Sequence, residues 1–250
     1  MEKISSRKNE YIKHLRKLAA DSVYRSSCGE FVCEGRKFLD EALSSGAEIS
    51  SILWKDGEAG EILGISSQYA SFPELYSYAS FSENSKGPLF TVKIKQKEPA
   101  GDIPNAIILE SVQDPGNLGT VIRTAAALGI GAVILTGTCA DLYNPKTVKA
   151  TMGAIFKQRV LKLDRGEIAS FAEANSLTLC AAILSDEAEI LGETELGRAA
   201  VCIGNEGSGL SRELSDLCRR KIFIPMQPGN ESLNASVAAS VFMWEMRKNG

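Results

Sequence analysis

The sequence predicts an α/β protein in which a helix-covered parallel sheet follows a smaller α/β unit, and three observations predict it. From residue 106 onward, short apolar runs alternate with stretches of helical period, the pattern that buries a parallel sheet between helices. Two of those runs, 200–203 and 221–225, open into loops of Gly, Asn, Glu and Ser, and a third, 106–109, opens into ESVQDPGN. Loops leaving the carboxyl ends of strands are where open α/β sheets bind ligands, so three of them point to one site. Between Lys95 and Pro104 the chain reads KQKEPAGDIP, polar and broken by two prolines, which is the composition of a linker. It divides the chain into domains over 1–97 and 105–250, joined by 98–104.

Composition sets bounds on this reading. Of the 250 residues, 44% are hydrophobic and 24% charged, as in an ordinary globular protein with real cores. No apolar run approaches the ~20 residues of a membrane span, and residues 1–20 are too charged for a secretory signal; a cytoplasmic protein without a membrane partner is expected. Cys28, Cys33, Cys139, Cys180, Cys202 and Cys218 show no close-paired metal spacing and are expected as small buried hydrophobes in a reducing compartment. His14 is the single histidine, which removes histidine triads and histidine-rich metal centres from consideration; no metal is expected.

The elements follow in order. Residues 9–20 carry Tyr11, Ile12, Leu15, Leu18 and Ala19 at helical spacing, so their basic residues face outward. Residues 1–25 hold seven basic residues (Lys3, Arg7, Lys8, Lys13, Arg16, Lys17, Arg25) against Glu2, Glu10 and Asp21, a local net charge of +4. Such an arm could meet phosphates or be a solvated helix face. Next come a strand over 30–33, a helix over 36–45 closed by Gly46, a strand over 49–54, a weaker helix around Glu61, a strand-like 74–78 and a strand over 90–94. Beyond the linker the spacing predicts strands over 106–109, 132–135, 155–163, 177–184, 200–203 and 221–225. Helices are expected over 118–128, 146–150, 167–175, 211–218 and 233–248. In the first loop Asp114, Pro115 and Gly116 make a turn, Asn117 is a natural N-cap, and Leu118, Val121, Ile122, Ala125 and Leu128 form the buried stripe. Arg123 falls off that stripe, where a phosphate can approach its planar fork.

Four stretches in this order, NLGTVIRTAAALG from Asn117, NPKTVKATMGAIF from Asn144, IGNEGSGL from Ile203 and IPMQPGNESLNASVAAS from Ile224, resemble the motifs of the SpoU family of RNA ribose 2'-O-methyltransferases, within the SPOUT superfamily. Upstream, ISSRKNEYIKHLRKL and GEFVCEGRKFLDEAL resemble the amino-terminal RNA-binding domain of many such enzymes, a small α/β unit like those of certain ribosomal proteins. The resemblance implies a parallel α/β domain whose last segment threads a loop as a deep trefoil knot, against the general rule. It implies S-adenosylmethionine, bound in a bent form by the knot's loops; no GxGxxG follows the strand at Ala106.

Carried over position by position, Gly204, Ile224 and Leu233 would line the donor's pocket, with Met226 and the strand end at Thr136 and Gly137 nearby. Asn117, Arg123, Glu206, Ser232 and Asn234 match the family's catalytic or active-site positions. Arg123 would clamp the phosphate beside the target ribose; a role as general base is open, since guanidinium groups hold their proton to pH about 12. Glu206 is the alternative proton acceptor, or orders the loops by hydrogen bonding. The resemblance further implies a homodimer with a site across the subunit interface, which the closing helix with Val237, Val241, Phe242 and Met246 could supply; that face could equally be intrachain core. Ribosomal RNA is the expected substrate; transfer RNA, and a non-catalytic RNA-binding protein retaining the fold, are the alternatives. Two departures stand out: Thr151 replaces the usual serine, and Ser85, Lys86 and Gly87 replace a Pro-Gln-Gly turn.

Overall fold

The computed structural model describes residues 1–58, 60–82, 87–95, 102–227 and 232–248. Most of the expected linker, residues 98–101, lies outside the described residues, as do Ser85, Lys86 and positions 228–231 of the last motif. The chain packs as two compact units, one of Met1–Lys95 with Asp141–Phe156, the other of Gln96–Ala140 with Lys157–Gly250.

The first unit begins with β1 (Glu2–Ile4), α1 (Glu10–Ala20), α2 (Ser22–Cys28), β2 (Glu30–Glu34) and α3 (Arg36–Ser44). It continues with β3 (Ile49–Lys55), β4 (Gln68–Ser71), α4 (Pro73–Ala79) and β5 (Leu89–Lys93). The strands form a mixed sheet in the order β1-β4-β3-β5-β2, with β5 antiparallel to both its neighbours. Asn9 caps α1 by accepting from the Tyr11 N–H at 2.9 Å, and Ile12, Leu15 and Leu18 give the helix the buried stripe its spacing predicts. The short α2, β1 and β4 carry too little periodicity to be read in advance. The stretch expected as a strand over 74–78 is instead α4, because Pro73 opens a helix at N1, where its missing N–H costs nothing. The weak helix expected around Glu61 is absent from the described residues.

The second unit opens with β6 (Ala106–Glu110), α5 (Pro115–Leu128) and β7 (Ala132–Thr136). The chain then contributes α6 (Pro145–Thr151) to the first unit, where Val148 and Ile155 join the core of Phe31, Cys33, Leu39 and Trp54. Residues 155–163, expected as one strand, divide into a 3-10 turn at Ala154–Phe156 and β8 (Val160–Lys162). Gly153, at φ +93, separates α6 from that 3-10 turn. The second unit resumes at β8 and continues through α7 (Arg165–Ala174), β9 (Thr178–Ala182), β10 (Glu189–Ile190) and β11 (Ala199–Ile203) to α8 (Arg212–Leu217), β12 (Arg220–Phe223) and α9 (Ala235–Lys248). Its seven strands are all parallel, in the order β10-β12-β9-β11-β6-β7-β8. Strands β6, β7 and β11 are buried at every position, as a sheet covered on both faces requires. Helix α9 packs on α5 and β11.

The cysteines divide. Cys33, Cys180 and Cys202 are buried as expected, and burial pushes the Cys180 thiol up to about 11. Cys28, Cys139 and Cys218 are only half-buried, at an element's end or in a loop. No helix among the described residues is long and apolar enough to cross a membrane.

Candidate active site

Because β11, β6 and β7 are neighbours in the sheet, the loops at their carboxyl ends are neighbours too. Ser111, just past β6, takes a left-handed φ of 57°. From there its N–H donates to Thr136 O at 3.0 Å, and its Oγ accepts from the Thr138 N–H at 3.1 Å. Gly137, at φ +64, lies under it: a Cβ there would stand 2.5 Å from Ser111 Oγ. The third loop closes on itself through Asn205 and Gly209, which exchange backbone bonds of 3.1 and 2.9 Å. Asn205 Oδ1 accepts from the N–H groups of Gly207 and Ser208, and its Nδ2 donates to Ser111 O at 2.9 Å. Thus the β11 loop is bound onto the β6 loop. Gly204 has no room for a side chain, since a Cβ there would fall 2.2 Å from Gly209 C and 2.3 Å from Leu210 N.

The N-cap of α5 is Asp114, not Asn117: Asp114 Oδ1 accepts from the Asn117 N–H at 2.7 Å, and Pro115 occupies N1. Three residues into the helix, Asn117 is free to use its side chain elsewhere. Its Nδ2 donates to Glu206 Oε1 at 2.7 Å. Two candidate residues 89 positions apart are thereby joined. Arg123 stands on the exposed stripe of α5 with Thr120 and Ala127, and no hydrogen bond or ion pair ties its guanidinium to another described residue. Ile224 and Met226 are half-buried, Ser232 is exposed, and Leu233 keeps 38% of its surface in solvent. Asn234 caps α9, its Oδ1 accepting from the Ser236 N–H at 2.9 Å and Oγ–H at 2.7 Å. Thr136 is buried, its hydroxyl without a hydrogen-bond partner among the described residues.

Sequence reasoning missed Glu110. It ends β6 at 2% exposure, and its carboxylate accepts from Arg165 Nε at 2.6 Å and from both the N–H and Oγ–H of Ser211 at 2.7 Å. Ser211 in turn caps α8. Burial pushes the Glu110 carboxyl up, but the two Ser211 bonds and the Arg165 guanidinium outweigh it and hold the group below the usual range. The signal was a carboxylate at the end of the apolar run AIILE, where only a paired charge survives burial. Among the described residues there is no group of three or more His, Cys, Asp or Glu that could hold a metal ion.

Residues 104–244 match the family model described as the SpoU rRNA Methylase family. A 23S rRNA guanosine 2'-O-methyltransferase, RlmP, of Bacillus subtilis is 29% identical over 99% of this chain and 100% of its own. A protein of Synechocystis described as an uncharacterised tRNA/rRNA methyltransferase is 30% identical over 98% of this chain and 93% of its own. In fold, the chain is similar to an rRNA methyltransferase of Sinorhizobium meliloti solved with AdoMet bound. That likeness has a TM-score of 0.88 at 23% identity and covers 99% of this chain and 97% of that one.

Proposed function

With more than half of its length matched by one model, the chain belongs to the SpoU rRNA Methylase family, and we propose that it methylates a ribose 2'-hydroxyl in ribosomal RNA with S-adenosylmethionine as donor. The observation that carries the reading is the 2.7 Å hydrogen bond from Asn117 to Glu206, which joins the first and third motifs at the carboxyl edge of the sheet.

The residues present fit the donor. Gly204 and Gly137 let their loops close tightly on Gly209 and on Ser111, where any side chain would collide, and tight loops rich in backbone groups suit adenine and methionine. Half-buried Ile224 and Met226, with Leu233, supply apolar surface for a purine. S-adenosylmethionine supplies a methyl group already activated on a sulfonium, so the protein has to align the acceptor oxygen and take up its proton. Arg123, exposed and unpaired among the described residues, clamps the phosphate beside the target ribose. Glu206 has Oε1 engaged by Asn117, which supports the loop-ordering role and leaves Oε2 to accept a proton. Asn234 holds the start of α9 and so the position of Ser232 and Leu233 beside it.

The enzyme acts as a homodimer in the cytoplasm. Two observations support the dimer: Arg123 points to solvent, and α9 presents Val237 and Trp244, 48% and 55% exposed and two turns apart, while Phe242 and Met246 serve the intrachain core. A trefoil knot is supported by the return of the chain from β12, second from the sheet edge, to α9 on α5 and β11. Residues 1–97 form the RNA-binding domain and 105–250 the methyltransferase domain.

The test is transfer of labelled methyl groups from S-adenosylmethionine to ribosomal RNA by the purified protein, with the sites mapped as 2'-O-methylated riboses. Incorporation into transfer RNA alone would overturn the substrate. RNA binding with neither incorporation nor donor binding would overturn the activity.

A further inference from the structure

The cations of the amino-terminal arm are not equivalent once folded. Arg25 is buried, paired with Asp141 and donating to Leu18 O. Lys3 pairs with Asp56 and Lys13 with Glu10, each at 2.6 Å. Arg7 and Arg16 are exposed and make no ion pair among the described residues. Instead both guanidinium groups lie over the ring of Tyr78, their carbons 4.5 and 4.0 Å from its centroid, and Arg16 also donates to Tyr78 O. Tyr78 sits near the end of α4, packed against the core that contains Ile12, Leu15 and Tyr76. One ring therefore anchors two like charges.

Both cations are exposed and without a carboxylate partner among the described residues, so an anion is the counter-charge they lack. Each guanidinium presents a planar fork that matches a phosphate bidentately, and parking it on an aromatic ring removes in advance much of the rotamer entropy that binding would cost. Beside Arg7 lies an open depression lined also by Ser5, Phe72, Glu74 and Leu75. Glu74 repels phosphate from that side and leaves the Tyr78 side for the backbone. We propose that Arg7 and Arg16, seated on Tyr78, form a docking point for the phosphodiester backbone of the RNA substrate on the first unit. An acidic protein would also meet two arginines, but flat ring-and-cation faces suit a nucleic acid, and the enzyme's substrate is RNA. The inference rests on the RNA methyltransferase reading.

The test compares the full-length protein with an Arg7→Gln/Arg16→Gln double variant, measuring affinity for ribosomal RNA between low and moderate potassium chloride. Each lost phosphate contact lowers the slope of log affinity against log salt by about 0.7–0.9. The double variant should therefore show a slope lower by roughly 1–2 and an affinity weaker on the order of tenfold near physiological salt. Its S-adenosylmethionine affinity should stay at wild type, and its melting temperature should fall by only a few degrees for the lost ring contacts and the Arg16–Tyr78 bond. A Lys8→Gln/Lys13→Gln variant, losing the same charge, should change the slope less. Wild-type slope in the arginine variant, or equal loss in the two variants, overturns the docking point while wild-type methylation of RNA upholds the parent reading. If the wild-type protein neither binds nor methylates RNA, both fail.

Discussion

Gly204→Ala tests the site directly, because the cost can be worked from contacts. Its φ lies outside the left-handed region, so an added methyl costs nothing in backbone conformation and everything in space: it would stand 2.2 Å from Gly209 C and 2.4 Å from Gly209 O. Backbone cannot swing aside as a side-chain tip can, so the loop must open. Opening it gives up the two Asn205–Gly209 bonds and the Asn205–Ser111 bond, at about 1 kcal/mol each. The expected destabilisation is about 2–3 kcal/mol, a fall in Tm of roughly 4–12 °C for a chain of this size. If the donor binds only the closed loop, its affinity falls by about 30- to 150-fold. Differential scanning calorimetry and titration calorimetry with S-adenosylmethionine read the two effects. Gly207→Ala is the control: its Cβ would meet only Asn205 Oδ1, at 3.4 Å, and it should behave within ~0.5 kcal/mol of wild type. A Gly204→Ala protein with wild-type Tm and donor affinity would refute both the crowding and the placing of the donor on this loop.

Other expectations follow from the same geometry. Arg123→Ala should abolish methyl transfer and leave S-adenosylmethionine affinity nearly intact by calorimetry; parallel loss of both would remove Arg123 from its role as a clamp on the acceptor. Glu110→Ala strands the Ser211 donors and the half-exposed Arg165 and should cost about 2–3 kcal/mol in chemical denaturation, discounted for Arg165's solvent access. Because the Glu110 carboxyl is held below its ordinary value of 4.5, its stabilisation is complete above that value and is lost as pH falls through the lower folded-state value. Wild type and variant should therefore converge in stability on acidification, and a difference that persists unchanged into strong acid would contradict the assignment. Val237→Glu combined with Trp244→Glu should yield monomers in sedimentation velocity and abolish activity without unfolding the chain; dimers of wild-type strength would move the interface elsewhere.

Much of the second unit was legible because its elements obey local rules. The run AIILE, the Asp114–Pro115 turn and the apolar stripe of α5 each fix a strand, a start or a face without help from the rest of the chain. What escaped depends on partners far away in sequence. Nothing local at Glu110 announces Ser211 or Arg165, and nothing in residues 141–156 announces that they pack beside Phe31, whose ring centroid lies 4.8 Å from that of Tyr143. Arg25 looked like one more surface cation and is instead buried against Asp141. The candidate site was legible as a set of motifs, but the link from Asn117 to Glu206 belongs to tertiary structure. Where the N-cap was misplaced by three residues, the cause was Pro115, which lets the helix begin earlier than the apolar stripe does.

The pairing of β6 with β11, Ala106 opposite Ala200, carries a consequence for biogenesis. The ribosome delivers β6 long before β11, so a nascent chain holds the turn after β6 with only Thr136 and Thr138 beyond β7 to rest it on for some ninety further residues of synthesis. Until then β6 can zip only to β7, and its other edge stays open to stray strands. Competence therefore arrives late and all at once, and a chain cut anywhere before Ala199 should be not a weak catalyst but an inert and sticky one.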